Sequence, residues 1–551
     1  MADTEAPGYG EPGRKHGGWI TFPFMMATLL GLSITSFGWL MNLIVFLIEE
    51  FNIKSIAAAQ ISNIVNGCLS MFPFVAAILA DSLFGNIPII SASAFISLLG
   101  IVLLTLIALL DNLRPQPCET GSNLCHSPSK LHLGVLYSAL ALVTIGTAGT
   151  RVTLSSAGAN QYEKRKDQGS FFNWYFLTIN IGAIISATAI VYTEDNASWK
   201  LGFGLCAAAN LISFIIFISG KILYKHDKPM GSPFTTLIRV LVAATLKRKA
   251  AVSSKEEDYH HGKEAKTSTA IPSKSFRFLN RAALKTEEDM KQSGNSNYNS
   301  WRLSSIQEVE DFKIVLRLLP LCLAIVCVST PIAIQSSMMV LQALVTDRGL
   351  GPHFKVPAGS ILVMSIISSC IFIIMNNWLV FPLYQKLAHK PLTPLQKVGI
   401  GQVFTILSMV ISAVVEAKRL QTVGNEHPMS VLWLFPPLIL VGIAEAFHLP
   451  ANVELFYGEF PESLRNTAAS LTSLVMGISY YLGTALINLI QRTTAWLPND
   501  INHGRVDIVY WVLVIGGVLN FGYFLVCSWV YTYKNLKDDN DQKKDTTDVT
   551  T

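Results

Sequence analysis

IPIISASAFISLLGIVLLTLIALL, residues 87–110, runs for 24 residues without a charged side chain. A bilayer core about 30 Å thick takes about 20 such residues as one helix. Inside lipid each backbone amide must find its partner within its own segment, so the run reads as a transmembrane helix. Working outward, five more apolar runs lie in the first half: Phe22–Ile48, Ala57–Ala80, Leu131–Ala157, Phe171–Tyr192 and Leu201–Leu223. Six follow in the second: Ile314–Val345, Val356–Tyr384, Val398–Val415, Val431–Tyr457, Ala468–Leu489 and Ile508–Tyr531. The first run lacks the small-residue cleavage site of a signal peptide and is expected to be retained. The expectation is an all-α, polytopic membrane protein with 12 transmembrane helices in two six-helix bundles.

Composition agrees. A chain of 551 residues could fill three or four soluble domains, but 51% of it is hydrophobic, only 14% is charged, and the mean hydropathy is +0.42. Soluble chains carry roughly 25% charge. Disordered chains are poor in apolar residues, which excludes disorder for most of the length. Eight cysteines in 551 residues exclude a disulfide scaffold. The net charge of +5 does not point to nucleic acid, because the basic residues gather in one central segment.

That segment organises the chain. Residues 225–312 are polar and separate an N-terminal bundle (20–224) from a C-terminal bundle (313–533), with tails at 1–19 and 534–551. Lys221 to Arg317 holds 18 Lys or Arg against 11 Asp or Glu. Such an excess predicts a cytoplasmic linker, and an even number of spans then puts both termini in the cytoplasm. Within it, PFTTLIRVLVAATLKRK (233–249) has apolar residues at helical spacing and a basic end. This suits a helix lying on the inner membrane surface, with a plain linker helix as the alternative. Ser and Thr residues of the linker are open to a regulatory kinase, but nothing separates them from ordinary linker composition. The same topology places two features outside. Cys118 and Cys125 are positioned for a disulfide or two free thiols. Asn196, in Asn-Ala-Ser, is an N-glycosylation acceptor or an unused sequon.

A charge in the bilayer is costly, so buried ionisable residues are the functional candidates. Arg151 follows the glycine-rich IGTAGTR. Glu445, His448 and Glu454 lie in VGIAEAFHLPANVELFYGEF, and Glu445 and His448 share roughly one helix face. Asp81 ends the second span. Lys313 and Arg317 open the seventh and are expected to snorkel to the interface. Glu445, from the opposite half, is the natural counter-charge for Arg151. A breakable pair of this kind could bind an oxyanion through the guanidinium fork, or it could be a fixed structural ion pair. His448 reads as a proton carrier or a packed, hydrogen-bonded core histidine. There is no G-x-x-x-x-G-K-S/T loop, no H-E-x-x-H and no C-x-x-C, so no cofactor, metal or enzyme chemistry is expected. Twelve spans with few buried charges fit a secondary carrier.

Several stretches resemble the plant nitrate/peptide transporters among the proton-coupled oligopeptide transporters. FFNWYFLTINIG (171–182), with Asn180 and Gly182, is similar to the family's fifth-span signature. ILADSLFGN (78–86) resembles its A-D-x-x-x-G motif, SSAGANQYE (155–163) its F-G-A-D-Q-F stretch, and EDFKIVLRLLP (310–320) and FPESLRNTAASL (460–471) match further segments. The resemblance implies the major facilitator fold, with substrate between two bundles that rock to give alternating access.

The departures bear on function. The family's first span carries Glu-x-x-Glu-Arg/Lys, then two Tyr and a Gly. Anchored on Gly38, those positions here are Leu29, Leu32 and Ser33, then Ser36 and Phe37. The Asp of the G-A-D-Q-F stretch is Asn160, the basic residue after A-D-x-x-x-G is Asn86, and a seventh-span His of some relatives aligns with Ala333. Arg151 aligns with the family's fourth-span Lys and Glu445 with its tenth-span Glu. Loss of the first-span motif with the fourth-span cation kept resembles the nitrate excretion branch. That implies a plasma-membrane carrier releasing nitrate, and secondarily chloride, from root cells. A proton-coupled symporter of nitrate, peptides or larger anionic metabolites, using Glu445, Glu454 or His448, is one alternative. A non-transporting anion sensor or regulatory subunit is another.

Overall fold

The structure, a computed structural model, describes residues 17–116, 127–225, 233–253, 255–261, 272–273, 275–286, 301–351, 354–424, 428–459, 468–498 and 500–531. Twelve helices are long and apolar enough to cross a membrane. In the first half they are α1 (Phe22–Met41), α2 (Ser55–Phe84), α3 (Asn86–Leu109), α4 (Lys130–Ala159), α5 (Ser170–Asn196) and α6 (Trp199–Ile222). In the second they are α7 (Ile306–Leu344), α8 (Gly359–Ala388), α9 (Pro394–Gln421), α10 (Val431–Phe456), α11 (Leu471–Thr493) and α12 (Val506–Val530). Successive spans alternate in direction, so residue 225 and residue 306 lie on one side of the bundle, the linker side. The loops after α1, α3, α5, α7, α9 and α11 lie on the other, the distal side.

Two elements depart from the sequence pattern. The apolar run Phe22–Ile48 is not one helix. It breaks at Asn42, whose φ of −104° and ψ of 9° leave the helical region, and restarts as Leu43–Glu49. Gly359 of the other half fits against this break, where a Cβ would come within 2.7 Å of the Met41 carbonyl. α7 has 39 residues, about 58 Å at 1.5 Å per residue, nearly twice the bilayer core. It starts eight residues before its apolar run because Ser305 and Glu308 form a capping box that satisfies the first amides.

Glycines set the tightest helix crossing. A Cβ on Gly100 would lie 2.3 Å from the Val143 amide nitrogen, and one on Gly146 would lie 2.2 Å from that of Ser97. The small-residue run before Arg151 therefore packs α4 on α3, as small residues do between membrane helices.

The apolar core is divided in an informative way. On the distal side one continuous cluster draws on both halves, from Trp39, Ile44 and Leu69 to Met338, Met409 and Tyr510. On the linker side each half has its own core. Met25, Leu29, Ile90, Leu154 and Phe217 belong only to the first half. Leu318, Leu321, Leu395 and Phe524 belong only to the second.

The linker folds in part. A helix, Pro233–Leu246, packs on a 3₁₀ segment, Arg277–Ala283, through Val240, Ala243, Leu279 and Ala282, together with Val309 of α7. Lys247 Nζ donates to the Leu284 carbonyl at 2.7 Å. Lys313 does not snorkel as its place at the mouth of a span suggests. It is fully buried, and its ammonium donates to the Ser273 carbonyl at 2.9 Å and to Glu310 at 2.7 Å. A partner 40 residues away in sequence satisfies the charge inside the protein.

Candidate functional site

Arg151 projects from the linker-side third of α4, one turn past the glycine crossing. Its side chain is exposed although it sits within a span. Its backbone carbonyl accepts from the Tyr175 hydroxyl at 2.7 Å, which ties α4 to α5 at this level. Across the seam, the half-buried Tyr480 of α11 lies within electrostatic reach of both the Arg151 guanidinium and the Glu445 carboxylate. Three groups from α4, α10 and α11 thus converge: a cation, an acid and a phenol. Among the described residues no ion pair joins Arg151 to Glu445, so the two charges stand apart in this conformation. Tyr480 was not singled out from the sequence. The tyrosine pair in ISYYLG (478–483), in mid-span, was the available signal.

The other candidates lie elsewhere. Glu454 is bound to Lys397 at 2.7 Å, and Lys397 also stands 4.8 Å from the Phe381 ring centroid, a cation–π arrangement. His448 is completely buried against Gly401, and neither ring nitrogen meets a hydrogen-bond partner among the described residues. Asp81 falls in a π-helical turn, Ala80–Phe84, but its side chain is outside those described. Asn196 is exposed at the distal end of α5. Cys118 and Cys125 lie outside the described residues. Leu29, Leu32 and Ser33 are all buried in the first half.

The site is shut on the distal side. Arg348 Nη1 reaches Asp195 Oδ2 at 3.3 Å, and the Tyr192 and Phe354 rings stack at 5.8 Å, both contacts crossing between halves. Ser360 donates to the Ala187 carbonyl at 2.6 Å, Asn63 donates to Ser337 at 3.3 Å, and Tyr481 meets Cys68 at 2.9 Å. Glu49 stands beside this latch. Partial burial, then the Asp195 carboxylate, push its carboxyl above the ordinary glutamate range, while Arg348 and Lys355 hold it back. On the linker side the described ion pairs, Lys225–Glu163, Lys313–Glu310 and Lys397–Glu454, each stay on one side of the seam. With the cores also divided there, the halves part toward the linker and leave Arg151 accessible from that side.

A sequence model of the POT family, PTR2, matches residues 88–503. The chain belongs to the POT family. Members include NRT1/ PTR FAMILY 2.3 of Arabidopsis thaliana, 77% identical over 551 residues, covering 100% of this chain and 99% of that one. NRT1/ PTR FAMILY 2.7 of Arabidopsis thaliana is 64% identical, over 98% of this chain and 97% of its own. Among solved structures, an auto-inhibited POT family peptide transporter superposes with a TM-score of 0.69 at 15% identity, covering 93% of this chain and 97% of its own. The POT family transporter PepTSo gives a TM-score of 0.67 at 15% identity, over 94% and 100%. This POT-family chain is a multi-pass membrane transporter with the major facilitator fold.

Proposed function

We propose that this POT-family chain is a plasma-membrane carrier that releases small monovalent anions, nitrate first and chloride second, down their electrochemical gradient. The linker and both termini face the cytoplasm, so the conformation described is open inward and shut outward. One observation carries the reading. The first-span positions that hold titratable groups in relatives are here the buried Leu29, Leu32 and Ser33, while Arg151, a cation within a span, is exposed. Without a titratable first-span group the proton-coupling element is missing, and a guanidinium remains to hold an anion by charge-assisted hydrogen bonds. Tyr480 adds a donor and Glu445 supplies the competing charge. Glu445 draws Arg151 back once the anion leaves, so the empty site is neutral and can cross. With the cell interior negative, each 100 mV favours export of one negative charge by about 2.3 kcal/mol, a concentration ratio of about 50, with no proton needed.

A second reading rests on His448. A fully buried imidazole with no hydrogen-bond partner among the described residues, one turn from Glu445, suits a proton-linked symporter. Proteoliposomes loaded with nitrate, at clamped voltage and equal pH on both sides, separate the two. Voltage-driven nitrate efflux supports export without protons. Efflux only when a proton gradient is imposed transfers the case to the symporter.

A further inference from the structure

We propose that the folded linker is a binding site for the anionic headgroups of phospholipids in the leaflet on the linker side. The linker helix, Pro233–Leu246, lies against the second half. Its Leu237 packs against the second half's own core, which contains Leu318, Leu321 and Leu395, and Phe312 and Leu316 of α7 pack against the linker's core. The helix therefore runs beside α7 at the level where that span becomes continuously apolar.

Its two faces differ. Val240, Ala243 and Ala244 are buried against the protein. The opposite face carries Ile238, Leu241 and Leu246, which are 54%, 46% and 61% exposed. Large aliphatic side chains facing outward at the edge of a membrane domain meet acyl chains rather than water. Charge lies at the rim of this strip. Arg248 and Lys249 follow the last helical turn and are exposed. Arg239 stacks over Trp301, 5.6 Å from the ring centroid, and tryptophan is favoured at headgroup depth. Arg239 and Arg281 add two further guanidinium groups to the linker beside this strip, next to the exposed Arg248 and Lys249. The nearby acidic turn, Glu256–Asp258, takes the Ser253 hydroxyl on Asp258 at 2.5 Å. An aliphatic strip edged by arginine and lysine matches one occupant, a lipid with chains beside the strip and an anionic head at the rim.

The proposal stands apart from the anion reading, because its test is lipid retention and not transport. The full-length protein is placed in nanodiscs of phosphatidylcholine with or without phosphatidylserine, released, and its retained lipids counted by native mass spectrometry. The wild type should hold phosphatidylserine over phosphatidylcholine, and added salt should erase the preference. In the pair Arg248→Gln and Lys249→Gln, each lost cation should weaken retention about fivefold. The pair Ile238→Ser and Leu241→Ser should lose both lipids from this face. All four residues are exposed, and unchanged melting temperatures confirm that the variants remain folded. Equal retention of the two lipids by the wild type, or full phosphatidylserine retention by the charge variant, overturns the proposal. So does a dimer that the Ile238→Ser and Leu241→Ser variant loses, which would give the face to a second copy of the chain.

Discussion

Arg348→Gln should loosen the distal gate. At 3.3 Å, unit charges in surroundings of effective dielectric about 20 attract by about 5 kcal/mol. The two side chains are only 11% and 9% exposed, so desolvation cancels more than half of this and about 2 kcal/mol favours the closed gate. That corresponds to about a 30-fold change in the ratio of closed to open forms. The variant also leaves Asp195 beside Glu49 with less positive charge between them. Asp195→Asn, by contrast, leaves Arg348 with Glu49 in range, so its effect should be smaller. The chain carries its own probe. Cys68 meets Tyr481 at 2.9 Å on the seam, and a membrane-impermeant maleimide can reach it from the distal side only when the halves separate. In a Cys118→Ser, Cys125→Ser background, its labelling rate should rise about 30-fold in Arg348→Gln, rise less in Asp195→Asn, and vanish with Cys68→Ser. Equal labelling of wild type and Arg348→Gln at equal surface levels would refute the claim that this pair holds the gate.

Arg151→Gln should weaken nitrate affinity about 10- to 100-fold, the loss expected for a charged hydrogen-bonding partner, read as the half-saturating nitrate concentration in proteoliposomes. Tyr480→Phe should cost about 1 kcal/mol of the same affinity, about fivefold, with gate labelling at Cys68 unchanged. The distal pH should act through Glu49. Its carboxyl is raised in the closed gate, so the closed form binds the proton more tightly than the open form, where the residue returns to its ordinary range. Acid on the distal side therefore favours closure, and this preference is lost as pH climbs through the raised value. Voltage-clamped efflux should slow as the distal pH falls, and Glu49→Gln should flatten that dependence; a steeper profile in the variant would contradict it.

The fold was legible because the bilayer imposes a demand that composition alone can meet. Runs such as 87–110 have no other stable form. Local chemistry carried a signal that the hydropathy reading, which began the seventh span at Ile314, did not use. Ser305 and Glu308 mark the true start of α7, but the polar residues after them hide the helix from a hydropathy reading. What escaped the sequence depends on partners far along the chain. Lys313 is buried because Ser273 meets it, and Arg348 lies in a loop whose partner Asp195 is 153 residues away. Tyr480 belongs to the site through the angle at which α11 crosses the seam, which no spacing records. Arg151 was visible because an arginine in a span is costly, whereas a tyrosine there is ordinary.

The shared distal core also makes the resting state of the carrier temperature-dependent. Each opening of the distal side must wet part of an apolar seam that includes Ile44, Leu69 and Met338. Wetting apolar surface raises the heat capacity, and the tendency of such a surface to stay dry weakens on cooling. The balance between forms closed and open on the distal side is therefore a curved function of temperature. Cooling should therefore raise the share of molecules open on the distal side.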